Sequence, residues 1–278
     1  MLVTGASKGI GKACALDFAK LDHTVFAGYR HAEDGETLRA AGGGKIIPVR
    51  LDVTKPGDIA AAVRQIEEEV GEAGLHGLVN NAGVAVPGPL EFLPLTDIRW
   101  QMEVNLLGQI AVTQAFLPVL RKATGRVVNM SSISGRFVYP FFGPYAISKY
   151  GLEAFSDALR RELLPWGLHV ASIEPGSIAT PIWETTRVNS DARLADMPAE
   201  YTNYYADFSK KVLKLAIASG EQGLSTDIVV QATAHALFSK RPKVRYAMGA
   251  KTRWMIRLLP FIPDAFIDSL FKRFLYKL

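Results

Sequence analysis

Thr4-Gly5-Ala6-Ser7-Lys8-Gly9-Ile10-Gly11 is the stretch that decides how this chain is read. It places three glycines at the junction of a short apolar run, Leu2-Val3, with a helical pattern that opens at Gly9. Glycines permit a tight strand-to-helix turn and let backbone N–H groups close on a pyrophosphate, which then rests on the positive end of the helix. The same spacing also serves an ordinary strand-to-helix turn, and the remainder of the chain decides between the two. The run ahead of the turn is abbreviated, and the natural start is expected a few residues upstream.

Downstream, apolar runs at Thr24 to Ala27, Ile46 to Val49, Leu75 to Val79, Arg126 to Met130 and Leu168 to Ile173 read as buried strands. Helical periodicity fills the gaps, from Gly9 to Leu21, Pro56 to Gly71, Thr96 to Leu120 and Tyr145 to Pro165. Strand and helix in alternation mean parallel strands joined by right-handed crossovers, an α/β doubly wound sheet of about seven strands with ligands at the strands' carboxyl ends. After Glu174 the pattern loosens into a polar, aromatic stretch. It returns with a helix near Thr226 to Ser239 and a short strand near Lys243 to Ala247. One domain is expected over 1–249, with a substrate lid at about 177–219, followed by an amphipathic tail over 250–278.

Hydrophobic residues make up 49% and charged residues 21% of the 278 residues, which excludes a disordered or collagen-like chain. The single cysteine, Cys14, forms no internal bridge, and the five histidines lack metal-ligand spacing, so a disulfide scaffold or a metal site is not expected. The net charge of +5 is spread among interleaved acids and bases, as from Arg30 to Arg39, which argues against a nucleic-acid partner. No apolar run long enough to span a bilayer and no signal peptide are evident, and the cytoplasmic side is the expected compartment.

The strand ends supply the next tests. A site for NAD should carry an acidic residue about 20 residues beyond the glycine turn, yet the second strand ends in Tyr29-Arg30-His31. Arg30 and Lys8 can instead converge on a 2′-phosphate, so NADP(H) is the expected cofactor and NAD(H) the second choice. Asp52, before Val53, lies where it could accept from an adenine amino group, although an isolated Asp often caps the next helix. Asn80-Asn81-Ala82-Gly83 ends the fourth strand with small residues that leave room for a ribose.

Tyr145 and Lys149 are spaced i, i+4, so they share one helix face. An ammonium near a phenol stabilises the phenolate and makes tyrosine a usable proton donor or acceptor. Ser132, at the end of the preceding strand, is a second hydroxyl on the same rim, able to orient a carbonyl oxygen. Asn105 is polar in an otherwise apolar helical stretch and needs a buried partner.

Taken together, Thr4 to Gly11, Asn80 to Gly83, Ser132, Tyr145-x3-Lys149 and Pro175-Gly176-x3-Thr180 resemble the short-chain dehydrogenase/reductase family, in order and at its spacings from Leu2 to about Phe238. The run from Tyr145 to Leu163 is similar to the branch of retinol, 17β-hydroxysteroid and 3-hydroxybutyrate dehydrogenases. The resemblance implies a Rossmann fold and a tetrad of Asn105, Ser132, Tyr145 and Lys149. In it Tyr145 is the acid/base, Ser132 polarises the substrate oxygen, Lys149 holds the ribose, and Asn105 supports a water relay. Cofactor contacts are expected at Gly5, Ser7, Lys8, Gly9, Ile10, Gly11, Tyr29, Arg30, Asp52, Val53, Asn81, Ala82, Gly83, Tyr145, Lys149, Pro175, Gly176, Ile178 and Thr180.

The substrate is then an alcohol or carbonyl, met by Ser132, Tyr139, Tyr145 and Trp183. Trp183, Tyr201, Tyr204, Tyr205 and Phe208, with Phe137, Tyr139, Phe141 and Phe142, could line an apolar pocket for a steroid-like, retinoid-like or long-chain molecule. A 3-oxoacyl thioester or a short hydroxy acid is the alternative; a sugar-nucleotide enzyme or a non-catalytic cofactor-binding protein ranks below both. A homo-oligomer, dimer or tetramer, is expected. In the tail, Phe266, Leu270 and Phe274, and Ile267, Phe271 and Leu275, recur at i+4 beside Lys251, Arg253, Arg257, Lys272, Arg273 and Lys277. That pattern suits either a helix lying in an anionic membrane interface or one packed on the protein.

Overall fold

The computed structural model describes residues 1–195 and 197–276. Seven strands form one sheet: β1 (Leu2–Val3), β2 (Val25–Tyr29), β3 (Ile46–Arg50), β4 (Gly77–Asn80), β5 (Arg126–Met130), β6 (His169–Glu174) and β7 (Arg245–Ala247). Their order is β3-β2-β1-β4-β5-β6-β7, and every pairing is parallel. The order reverses between β1 and β4, which opens a crevice at the carboxyl ends of those two strands.

Although β1 has only two residues, it pairs on both sides, Leu2 with Phe26 and Leu78, Val3 with Ala27 and Val79. Both residues are fully buried, and the two-residue period of a strand sends them into different layers. Val3 joins Cys14, Phe18, Val128, Ile173 and Val229 on one face. Leu2 joins Leu78, Val112, Phe116, Val127 and Val170 on the other. Burial on both faces is why these strands read as continuous apolar runs.

The helices are α1 (Gly9–Lys20), α2 (Ala32–Ala41), α3 (Pro56–Val70), α4 (Leu95–Met102), α5 (Gly108–Lys122), α6 (Gly143–Glu162), α7 (Ile182–Ala195), α8 (Ala199–Tyr204), α9 (Ala206–Glu221), α10 (Thr226–Phe238), α11 (Ala250–Leu258) and α12 (Asp264–Phe271). The pattern from Thr96 to Leu120, read as one helix, is two helices joined by a π turn at Glu103–Leu107. By length and composition alone Leu95–Lys122 is long and apolar enough to cross a membrane, contrary to the expectation of no such run. Its Val112, Phe116, Val119 and Leu120 are instead buried against the sheet, as in the core helix of a globular domain. The run of interleaved charges after Arg30 is α2, whose Glu33 and Asp34 in the first turn and Arg39 in the last complement the helix dipole.

The tail is not one helix. Pro260 and Pro263 break it between α11 and α12, and the two apolar rows part company. Phe271 stacks on Phe137, with ring centroids 5.9 Å apart, while Phe266, Leu270 and Phe274 are exposed. Lys277 lies outside the described residues, as do the side chains of Lys251 and Leu275.

Candidate active site

The crevice is a cleft of about 460 Å³. On one side the glycine turn closes tightly on the end of β4. Thr4 Oγ1 accepts from the backbone N–H groups of Asn81 and Ala82 at 2.9 and 3.0 Å, and Asn81 Nδ2 donates to the carbonyls of Thr4 and Gly5 at 2.9 and 3.1 Å. Gly5 has φ +62°, and a Cβ there would lie 2.9 Å from Ala82 Cα. A Cβ on Gly11 would collide with Asn81 Nδ2 and the Gly5 carbonyl, so Gly11 lets α1 approach the strand end without itself lining the cleft. The first turn of α1 has neither a side-chain cap nor an acidic residue, so its N–H groups and positive dipole end are left for an anion.

Lys8 and Arg30 line the same cleft, as do Gly5, Ser7, Gly9, Ile10, Tyr29, Asp52, Val53, Asn81, Ala82, Gly83, Pro175, Gly176, Ile178 and Thr180. A Cβ on Gly9 would lie 3.6 Å from Thr180, so the loop after β6 meets the glycine turn across the opening. Asp52 Oδ1 accepts from Thr54 N at 3.0 Å and Thr54 Oγ1 at 2.7 Å. Burial raises the Asp52 carboxyl, but those two bonds and the charges of Arg30 and Lys55 outweigh it and hold it below its ordinary value.

The reacting end is built by β5 and α6. Ser132, two residues beyond β5, lies beside Tyr145 and Lys149 in the lining, and its Oγ accepts from Ser134 N at 3.1 Å. Lys149 is buried, donates from Nζ to the Met130 carbonyl at 2.8 Å, and lies 5.7 Å from the centre of the Tyr145 ring. Burial pushes the Lys149 ammonium down to about 8, with Glu153 opposing. Burial also raises the Tyr145 phenol above its ordinary value, with a hydrogen bond from Ser132 pulling it back. The expected lowering by Lys149 is therefore overruled in the protein alone, where loss of hydration is the larger effect.

Asn105 sits in the π turn and does not line the cleft. Its Oδ1 accepts from Val84 N at 2.8 Å, and its Nδ2 donates to Val84 O at 2.9 Å and Ser148 Oγ at 3.1 Å. Ser148 Oγ in turn donates to the Tyr145 carbonyl at 2.7 Å. The amide thus braces the segment after β4 against the turn of α6 that carries Tyr145.

The aromatic residues divide. Trp183 lines the cleft, its Nε1 fixed to the Ile178 carbonyl at 2.8 Å. Tyr139 is placed elsewhere, packed edge-on against Phe137 and Phe271. Phe141, Phe142 and Tyr201 line a separate small hollow of about 30 Å³, Tyr205 donates to Glu91 at 2.7 Å, and Tyr204 is exposed. The sequence pattern did not single out Trp100, Val104, Ile182, Thr186 or Asn189, which also line the cleft. The last three of these, on α7 at i, i+4 and i+7, share one helix face, a signal visible in the sequence once the helix is assigned.

The family model described as short chain dehydrogenase matches residues 1–191. Retinol dehydrogenase 16 of Mus musculus is 38% identical over 97% of this chain and 86% of its own length. The NADPH-dependent 3-dehydrocapnine reductase of Ornithobacterium rhinotracheale is 36% identical over 100% of this chain and 97% of its own. The crystal structure of a short chain dehydrogenase from Burkholderia cenocepacia in complex with NADP superposes with a TM-score of 0.71 at 25% identity, covering 97% of this chain and 95% of that one. The matched residues run past Asn189, the last residue of the cleft lining, and so take in the glycine turn and the Tyr145–Lys149 helix together. The chain belongs to the short chain dehydrogenase family and is an NAD(P)-dependent oxidoreductase acting on CH–OH groups.

Proposed function

We propose that the protein is an NADP(H)-preferring reductase of a lipophilic carbonyl compound, working in reverse on the corresponding alcohol. The observation that carries this reading is that Lys8 and Arg30 line the same cleft as the apolar residues Val84, Trp100, Val104, Ile178, Ile182 and Trp183. The glycine turn and α1 would hold the pyrophosphate, Lys8 and Arg30 the 2′-phosphate, and the Pro175–Thr180 loop the nicotinamide end. When bound, the nicotinamide supplies or accepts the hydride.

This chain's residues then manage the proton and the geometry. Ser132 and Tyr145 converge on the position a substrate oxygen would take, Ser132 by donating a hydrogen bond and Tyr145 by giving up the phenolic proton. Burial raises that phenol above its ordinary value, so it holds the proton that a carbonyl oxygen takes up on reduction. Lys149 contributes positive charge beside the phenol and steadies the phenolate left behind. Asn105 keeps α6 in register with the loop after β4. Retinol is a lipophilic alcohol, and of the similar proteins one is an NADPH-dependent reductase and another was crystallised in complex with NADP, which supports the same reading.

The test is to mix purified protein with NADPH or NADH and a carbonyl panel of retinoid, steroid, long-chain, 3-oxoacyl thioester and short oxo-acid members, following nicotinamide absorbance. Turnover confined to the lipophilic members with NADPH is expected. Equal turnover of short polar acids would move the assignment to the hydroxy-acid alternative.

A second reading concerns the tail. Trp254, Leu258, Phe261, Phe266, Leu270 and Phe274 are exposed near Arg253, Arg257, Lys272 and Arg273, a combination suited to the interface of an anionic bilayer. A lipophilic substrate would then be collected from the membrane itself.

A further inference from the structure

Behind Lys149 lies a cluster of charges that the proposed reaction does not use. Glu153 stands one turn further along α6 with its side chain only 5% exposed. Its Oε2 accepts from Arg245 Nε at 3.1 Å and from an Arg136 guanidinium nitrogen at 3.4 Å. Arg136 Nε also donates to Glu174 at 2.9 Å, and Arg245 reaches Asp157 at 2.9 Å. Arg160 and Arg161 complete the outer side of the cluster on Asp157.

These residues come from several of the segments around the reacting end. Arg136 follows the turn that begins at Ser132, Glu174 immediately precedes Pro175-Gly176, and Arg245 opens β7. A Cβ on Gly135 would lie 3.0 Å from both Glu153 Cγ and the Lys149 carbonyl, so that turn is packed directly on the Lys149–Glu153 stretch. Residues four apart on a helix are neighbours, with Cβ atoms about 5–6 Å apart. Lys149 Nζ is committed to the Met130 carbonyl rather than to Glu153, so any action of the carboxylate on it is through space.

We infer that Glu153 is a positioning residue for the reaction, anchored by Arg136 and Arg245 so that its carboxylate supplies the counter-charge of the buried Lys149 ammonium. The inference rests on the role proposed for Lys149. A buried ammonium without an opposite charge nearby gives up its proton. The groups around it are Tyr145 and Glu153 on α6, Ser132 and the Met130 carbonyl from β5 and its end, and, beyond Glu153, Arg136, Glu174, Arg245 and Asp157. Glu153 is the charge that opposes the downward pull of burial on Lys149.

The experiment titrates Lys149 by NMR in lysine-labelled full-length protein, assigned with Lys149→Met, alongside the pH profile of NADPH-dependent turnover. Parent, Glu153→Gln, Glu153→Asp and Asp157→Asn chains are compared. In Glu153→Gln the Lys149 titration and the alkaline limb of the profile are expected to move down together by about half to one pH unit. Glu153→Asp should restore part of the shift, and Asp157→Asn should leave both curves in place. If Glu153→Gln does not fold, Glu153→Asp, with its carboxylate drawn back by one methylene, carries the test with a smaller downward shift. Curves that superimpose on the parent's overturn the inference, even if stability changes. A shifted Lys149 titration with an unmoved activity profile would leave the pairing of Glu153 with Lys149 standing but overturn the inference that Glu153 serves the reaction, together with the role proposed for Lys149.

Discussion

Lys149 donates from Nζ to the carbonyl oxygen of Met130 at 2.8 Å, tying α6 to the last residue of β5 two positions ahead of Ser132. The bond holds a charge in a largely buried place, and that charge costs stability. With the folded value near 8 and an ordinary value of 10.5, the unfolded chain keeps a proton that the folded chain has lost between those limits. Stability therefore rises with pH across that window, and below about 8 the cost of the buried charge is constant. Lys149→Met removes the cost along with the activity. Without nucleotide, its stability relative to the parent should be greatest near neutral pH and should fall by on the order of 3 kcal/mol as pH rises through the window. Denaturant melts of both chains at several pH values check this, and a difference independent of pH would show that Lys149 is not strained by burial.

Tyr145→Phe keeps the ring and removes the proton and the Ser132 hydrogen bond. Loss of a positioned proton-transfer group should lower turnover by at least ~100-fold while NADPH binding, followed by fluorescence, stays close to that of the parent. Undiminished turnover in a chain that binds NADPH would show that the proton comes from elsewhere.

The nucleotide preference is a matter of two cations. Charge-assisted bonds to a phosphate are worth ~1.5–3 kcal/mol each, so Arg30→Ala should weaken KM for NADPH by about 10- to 100-fold and leave NADH nearly unaffected. Lys8→Ala should act in the same direction. If the parent already uses both nucleotides equally at low concentration, Arg30 is engaged only with Asp52 and the surface.

Much of the fold was legible because parallel strands buried on both faces leave an unmistakable mark: Arg126 to Met130 is a strand from end to end, and Asp52, Gly83, Ser132 and Gly176 all fall just past strand ends on one rim. What stayed hidden has physical reasons. A π turn adds one residue to a helical repeat without changing its composition, so the break at Glu103–Leu107, and with it the placement of Asn105, did not show in the periodicity. The segments α7 to α9 draw their order from packing on one another and on the body rather than from their own pattern: Trp183 of α7 closes on Gly220 of α9, and Arg193 pairs with Asp97 of α4 at 2.5 Å. Tyr139 is expected from the sequence among the aromatic residues lining an apolar pocket. The tail, far away in sequence, brings Phe271 against it.

That contact shapes the last prediction. The tail packs inward through Phe271 on Phe137, and Lys211 donates to the Phe274 carbonyl at 3.1 Å, so removing it whole would uncover the loop between Ser132 and Tyr145. The outward row can be changed alone. Phe261, Phe266 and Phe274 are 83%, 56% and 69% exposed and support nothing inside the protein to that extent. Fully burying one such side chain is worth ~1.5–3 kcal/mol, so replacing all three by serine should weaken partition into vesicles by ~100-fold or more. Sedimentation with phosphatidylserine-containing vesicles is the measurement. The parent should pellet, less so with neutral lipid, which offers no negative surface to Arg257, Lys272 and Arg273, or with added salt, which screens them, and the triple variant should remain in solution with an unchanged melting point. Equal recovery of both chains in the supernatant would mean that the exposed row meets another protein surface instead of a bilayer.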